Sequence, residues 1–244
     1  MSKKKARTIR PLGRAANASR GHEPRNRTAE IFEGGAPGPG VTRADDGTIR
    51  AVLSRIDPDR PWAEARRDVL PMLPRIRPYP FPIEPVRTML PPGILAGFGI
   101  DIGPALQVVD GGQLERWGVD LATVAGRALE NVRREAARTD PGGVLHELIH
   151  GVPVMALQTG RGIGASMLLV PETLERFFGA GPLLLLAPMR DLMVALPASV
   201  DHGFASWLAD EWESMDPNHL HLGGWLYEAA TLCPVPLEGA FARA

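Results

Sequence analysis

Leu183 to Ala187 is an unbroken apolar run with a proline at each end, Pro182 and Pro188. It is far too short to span a bilayer. It reads instead as a buried strand, with Leu192 to Leu196 expected to pair beside it. Such a strand needs a substantial core around it. With 44% hydrophobic and 23% charged residues in 244, the chain can supply one. The formal net charge of −1 gives no global field that would select a nucleic acid or a membrane.

The first part of the chain has a different composition. Lys3, Lys4, Lys5, Arg7, Arg10, Arg14, Arg20, Arg25 and Arg27 crowd it, and Gly34 to Gly40 is a glycine–proline run. Few large apolar residues offset the entropy of ordering. Residues 1 to about 46 are therefore expected to be a disordered basic arm and linker. Through phosphates the arm offers the one route to nucleic acid, although it has almost no aromatic residues for stacking. No apolar run of signal-peptide length follows the basic start, so a cytosolic location is expected.

From 47 to 240 the pattern predicts a single α+β domain. Thr48 to Ile56 and Pro61 to Leu70 read as short helices, the second stopped by Pro71. Pro74, Pro78, Pro80, Pro82 and Pro85 force an extended segment. Ile94 to Ile102 and Ala105 to Asp110 read as strands, and Gln113 to Trp117 as a turn of helix. Asp120 caps the strongest helix, whose stripe is Leu121, Val124, Ala125, Ala128, Leu129 and Val132. Val152 to Leu157 and Ser166 to Val170 are strand candidates, and Pro171 to Phe178 is a short helix. Asp201 to Ser214 is a helix with Phe204, Trp207, Leu208 and Trp212 near one face. Trp225 to Leu232 suits either a strand or a helix. Strands and helices interleave without regular strand–helix–strand units, which favours α+β over a doubly wound sheet.

His146-Glu147-Leu148-Ile149-His150 spells H-E-x-x-H. On a helix the two histidines share one face and can reach one zinc ion, with Glu147 as general base toward the bound water. Asp140 as cap, Pro141 at the first position and Gly151 at the end favour such a helix. Gly142 and Gly143 weaken it. A third ligand would come from Glu172, Glu175 or His202, and the pattern selects none of them. Solvated polar residues on a helix explain the same five letters.

Other signals are weaker. Thr159 to Gly164 has the glycines of a dinucleotide loop at the wrong spacing, and fits a tight turn between strands better. His219 and His221 suit an exposed loop. The single cysteine, Cys233, forms no internal disulfide and reads as a buried structural thiol.

Three segments follow one another in order: Gly118-Val119-Asp120 leading to Ala128-Leu129-Glu130-Asn131-Val132, then Gly164 to Leu169, then Ala187-Pro188-Met189-Arg190-Asp191-Leu192. Together they resemble the YtpQ family, bacterial proteins of unknown function, over roughly residues 95 to 235. The resemblance implies a cytosolic α/β domain and supplies no reaction. It marks Asn131, Ser166, Arg190 and Asp191 as positions to test. The resulting expectation is a non-catalytic binding or interaction module with no cofactor. The alternative is a zinc-dependent, peptidase-like hydrolase using His146, His150 and Glu147.

Overall fold

The computed structural model describes residues 50–237 apart from 53, 75–83, 104, 217, 218 and 221. The basic arm, its boundary near residue 46, most of the proline-rich stretch and His221 lie outside these residues. The described residues fall in one compact unit.

Helix α1 (Trp62–Ala65) is followed by β1 (Val69–Met72), so the expected helix from Pro61 to Leu70 is cut to one turn. Pro71 does not stop a helix. It lies within β1, opposite Phe98. Strands β2 (Thr88–Leu90), β3 (Ile94–Asp101) and β4 (Leu106–Val108) complete a small antiparallel sheet. In it β1 flanks one side of β3, and β2 and β4 share the other. Ile94, Ala96, Phe98 and Ile100 alternate along β3 and are buried, as a period of two requires. Between them Gly99 has no space for a side chain: a Cβ there would lie 2.8 Å from Met72 Sδ and 2.9 Å from Leu106 Cβ.

Helix α2 (Gly111–Trp117) leads into α3 (Leu121–Arg138). The Asp120 carboxylate caps α3 by accepting from Thr123 N–H at 2.7 Å. Hydrogen bonds from Thr123 hold that carboxyl below its usual range. Of the expected stripe, Val124, Ala125, Ala128 and Val132 are buried, while Leu121 and Leu129 pack half-buried against the core. Helix α3 packs on β1 and β3, and also on a 3-10 turn, Ala165–Leu169, that itself rests on β7 (Leu183–Met189). The expected strand from Ser166 to Val170 is this turn. Its residues are all buried, and no strand among the described residues pairs with them.

The larger sheet has six antiparallel strands: β5 (Leu145–Ile149), β6 (Val152–Gln158), β7, β8 (Leu192–Pro197), β9 (Gly224–Glu228) and β10 (Thr231–Val235). Their order is β10-β9-β7-β8-β6-β5. The apolar run from Leu183 is thus a central strand, paired with β8 and β9. Leu157, Leu185, Met193, Ala195 and Trp225 belong to one face and join the cluster that runs through α3 to the small sheet. Leu184, Leu186, Val194 and Leu196 belong to the other face and are also buried.

Two helices follow the strands around the sheet. Pro171–Thr173 is a 3-10 turn leading into α4 (Glu175–Phe178). Helix α5 (His202–Glu213) packs on β7, and its buried Ala205, Leu208, Ala209 and Trp212 cover that second face. Trp207, expected among this group, is 41% exposed. Cys233, expected to be buried, is exposed: it sits on β10 beside half-buried Leu226, at the sheet's far edge. Among the described residues no helix is long and apolar enough to cross a membrane.

Candidate functional site

The H-E-x-x-H motif is on a strand. Asp140 does cap, accepting from Gly142 N–H at 2.9 Å, and Pro141 does open the segment, but only a 3-10 turn over Pro141–Gly143 results. Two glycines in the first turn remove helix propensity. Pairing with β6 then competes successfully, with Leu145 opposite Ala156 and Ile149 opposite Val152. Successive strand side chains point to opposite faces. His146 and Leu148 therefore share one face, and Leu145, Glu147 and Ile149 the other. His150 is in the turn at φ 51°, its ring 5.2 Å from that of Trp207. The convergence that a helix gives to His146, His150 and Glu147 is absent.

The three residues considered as a third ligand are dispersed. Glu172 is bonded to Arg133 at 2.6 Å, Glu175 opens α4 and His202 opens α5. His219 lies 3.8 Å from Glu213, whose burial raises its carboxyl above the usual range against the opposing pull of His219. Among the described residues no group of three or more His, Cys, Asp or Glu side chains is arranged to hold a metal ion.

The four positions marked by the family resemblance have packing roles. Asn131 is fully buried, and its Nδ2 donates to the carbonyls of Arg66 (3.0 Å) and Val69 (2.8 Å). Arg134 donates to its Oδ1 at 2.6 Å. The amide thereby ties α3 to the start of β1, and removing it leaves the buried Val69 carbonyl unpaired at about 1–3 kcal/mol. Ser166 is buried in the Ala165–Leu169 turn.

Arg190 and Asp191 form the two-residue loop between β7 and β8 and fasten the glycine loop Thr159–Gly164. Asp191 accepts from the N–H groups of Ile163 (3.1 Å) and Gly164 (3.2 Å) and from the Thr159 hydroxyl. Arg190 Nε donates to the Gly162 carbonyl at 3.0 Å. Gly162 takes φ 69°, a conformation glycine adopts without strain, and a Cβ there would also displace the Arg190 guanidinium, 2.9 Å away.

One cluster was not singled out by pattern. Glu135, nearly buried, receives Arg134, Arg138 and Arg161 at 2.9–3.1 Å. The signal was present: Asn131 and Glu135 fall on the buried side of α3 among its apolar positions.

The remaining feature is the end of the large sheet. Strand β5 is the terminal strand, and its residues 145–148 are all exposed. Leu145 is 40% and Leu148 66% exposed. The loop to β6 is two residues, His150 and Gly151, both with positive φ. This is the turn that matches strand twist, and His-Gly fits it because glycine takes the second position without strain. In such a hairpin the flanking residues exchange both backbone bonds. Ile149, Glu147 and Leu145 therefore bond inward to β6, and the N–H and C=O groups of His146 and Leu148 point outward. Among the described residues no strand pairs with that outer edge. Beside it on α5, the Trp207 ring lies 5.6 Å from that of Phe204, tilted by 44°.

No family model matches the chain, and neither does any curated protein or solved structure.

Proposed function

We propose that the domain is a non-catalytic interaction module that takes an extended segment of a partner protein onto β5. The observation that carries this reading is the open edge itself: a sheet-terminal strand with outward N–H and C=O groups and exposed leucines on both faces. Natural sheets blunt such edges unless they use them.

Charge favours a foreign strand over a second copy. Two copies of β5 paired antiparallel about a two-fold axis, with all five residues matched, place Glu147 opposite Glu147, which is repulsive. A partner strand with Lys or Arg opposite Glu147, and apolar residues opposite Leu145 and Ile149, reverses that term. The YtpQ-like reading rests on its sequence segments; two of them, Gly164–Leu169 and Arg190–Asp191, pack together, with Ala165 N–H donating to the Arg190 carbonyl at 3.1 Å. A cytosolic setting fits an exposed, unbridged Cys233.

The test is selection from a random octapeptide phage library on the full chain and on Leu148→Pro. The expected result is an enriched alternating pattern of apolar residues around one basic residue, lost with the proline variant. Equal enrichment on both proteins, or none on the unaltered chain, overturns the proposal.

A further inference from the structure

At the C-terminal end of α3 one carboxylate gathers three guanidinium groups. Glu135 accepts from Arg134 at 3.1 Å and from Arg138 and Arg161 at 2.9 Å each. One arginine would neutralise it, so positive charge is left over. Arg138 and Arg161 are 58% and 54% exposed, and each spends only its Nη1 on Glu135. Arg134 Nη2 donates to the Arg67 carbonyl at 2.7 Å, and Asn131 reaches the Arg66 carbonyl, so that pair lies beside the cluster. The side chains of Arg66 and Arg67 are exposed and make no bond to another described residue.

The acids nearby do not cancel this charge. Glu130 is taken by Arg127, and Glu172 by Arg133. Set against Glu64, Glu135 and Asp140, the arginines at 66, 67, 134, 138 and 161 still outnumber the carboxylates. The far side of the large sheet has the reverse composition. The stretch from Asp201 to Leu237 carries Asp201, Asp210, Glu211, Glu213, Asp216 and Glu228 and no lysine or arginine. Helix α5, within it, covers the second face of that sheet, whereas α3 packs with the first. A net charge of −1 conceals this separation.

We propose that the arginine surface on α3, the Arg66–Arg67 pair and Arg161 binds the phosphodiester backbone of a duplex nucleic acid. Guanidinium forks match phosphate oxygens, and Glu135 holds three of them in place beforehand. No aromatic residue stands among these arginines to stack on an unpaired base, which favours a duplex over a single strand. A membrane fits less well: the exposed large apolar side chains, among the described residues, belong neither to α3, nor to the Arg66–Arg67 pair, nor to the glycine loop that carries Arg161. Between Lys3 and Arg27 the same chain adds nine basic residues against Glu23 alone, which suits an anion longer than the acidic side of a second copy.

Fluorescence anisotropy of labelled DNA and RNA duplexes, titrated with the full chain over a series of salt concentrations, tests this. Both duplexes are expected to bind at low salt and to be released as salt rises, and a preference for one of them adds helix geometry to the backbone contact. Arg66→Gln with Arg67→Gln removes two charges that hold nothing inside the fold. That pair is expected to weaken binding by about tenfold and to lower the slope of log Kd against log salt by about two, with an unchanged melting temperature. Asp210→Asn with Glu211→Gln alters the net charge by as much on the other side, and is expected to change binding by less than about twofold. Should the arginine pair lower the melting temperature, Arg161→Gln decides, with weaker duplex binding expected. Absence of duplex binding at low salt overturns the proposal, and so does binding undiminished in the arginine variants, which would assign it to the arm. Equal effects of the two double variants, or tighter binding to phosphatidylserine vesicles than to either duplex, overturn it as well. None of these results bears on the peptide selection at β5.

Discussion

The large sheet ends in two hairpins built alike and finished differently. At one end β5 and β6 are joined by His150 and Gly151, at φ 51° and 81°; at the other β9 and β10 are joined by Ala229 and Ala230, at φ 47° and 61°. Both loops are two residues long with positive φ, so both set the same bonding alternation along the outer strand. On β10 the outward positions are Leu232 and Pro234, and proline has no N–H to offer. On β5 they are His146 and Leu148, and both keep theirs. The same turn geometry thus produces one blunted edge and one open edge, and a single residue type separates them. Pro153 obeys the same alternation: its missing donor points toward β8, where pairing begins only at Met155.

Exchanging the two edges is the strongest way to break this comparison. Leu148→Pro gives β5 the device of β10 and is expected to abolish peptide capture while the chain stays folded, because the lost N–H is not used inside the sheet; binding and thermal melting read the two effects separately. Pro234→Val should do the converse and make β10 adhesive, seen as concentration-dependent association in sedimentation velocity. A smaller effect comes from the turns. Two alanines at positive φ are strained where glycine and asparagine are not, so Ala229→Asn with Ala230→Gly is expected to stabilise by about 1 kcal/mol in urea unfolding. His150→Asn, where Gly151 already relieves the second position, should gain only a few tenths of that. Of similar size is Glu147→Lys, which alters a cross-strand pair worth about 0.2–1 kcal/mol. Its readout is the selected peptide, whose central residue should change from basic to acidic.

The sequence pattern carried the architecture wherever periodicity and punctuation agreed. The central strand from Leu183, its neighbour from Leu192 and the stripe of α3 with its Asp120 cap stand close to where alternation and spacing placed them. It misled where a local signal was true but too weak to propagate. Asp140 and Pro141 start a helical turn, and the glycines after them let strand pairing end it. The pair His150-Gly151 was the better signal, a two-residue hairpin turn flanked by Ile149 and Val152. The ambiguity over Trp225 to Leu232 has a similar source: Ala229-Ala230 carries no turn chemistry, so a hairpin there is invisible without its partner strand β7. The open edge was not legible at all. Edge position is set by sheet order, which no local pattern carries.

Backbone amide exchange along β5, followed by nuclear magnetic resonance, tests the open edge most directly. In the free protein the amides of Glu147 and Ile149 should be protected and those of His146 and Leu148 should exchange fast. A selected peptide should then protect His146 and Leu148 alone. Protection of His146 and Leu148 without any peptide, or their continued rapid exchange with the peptide bound, would contradict the account.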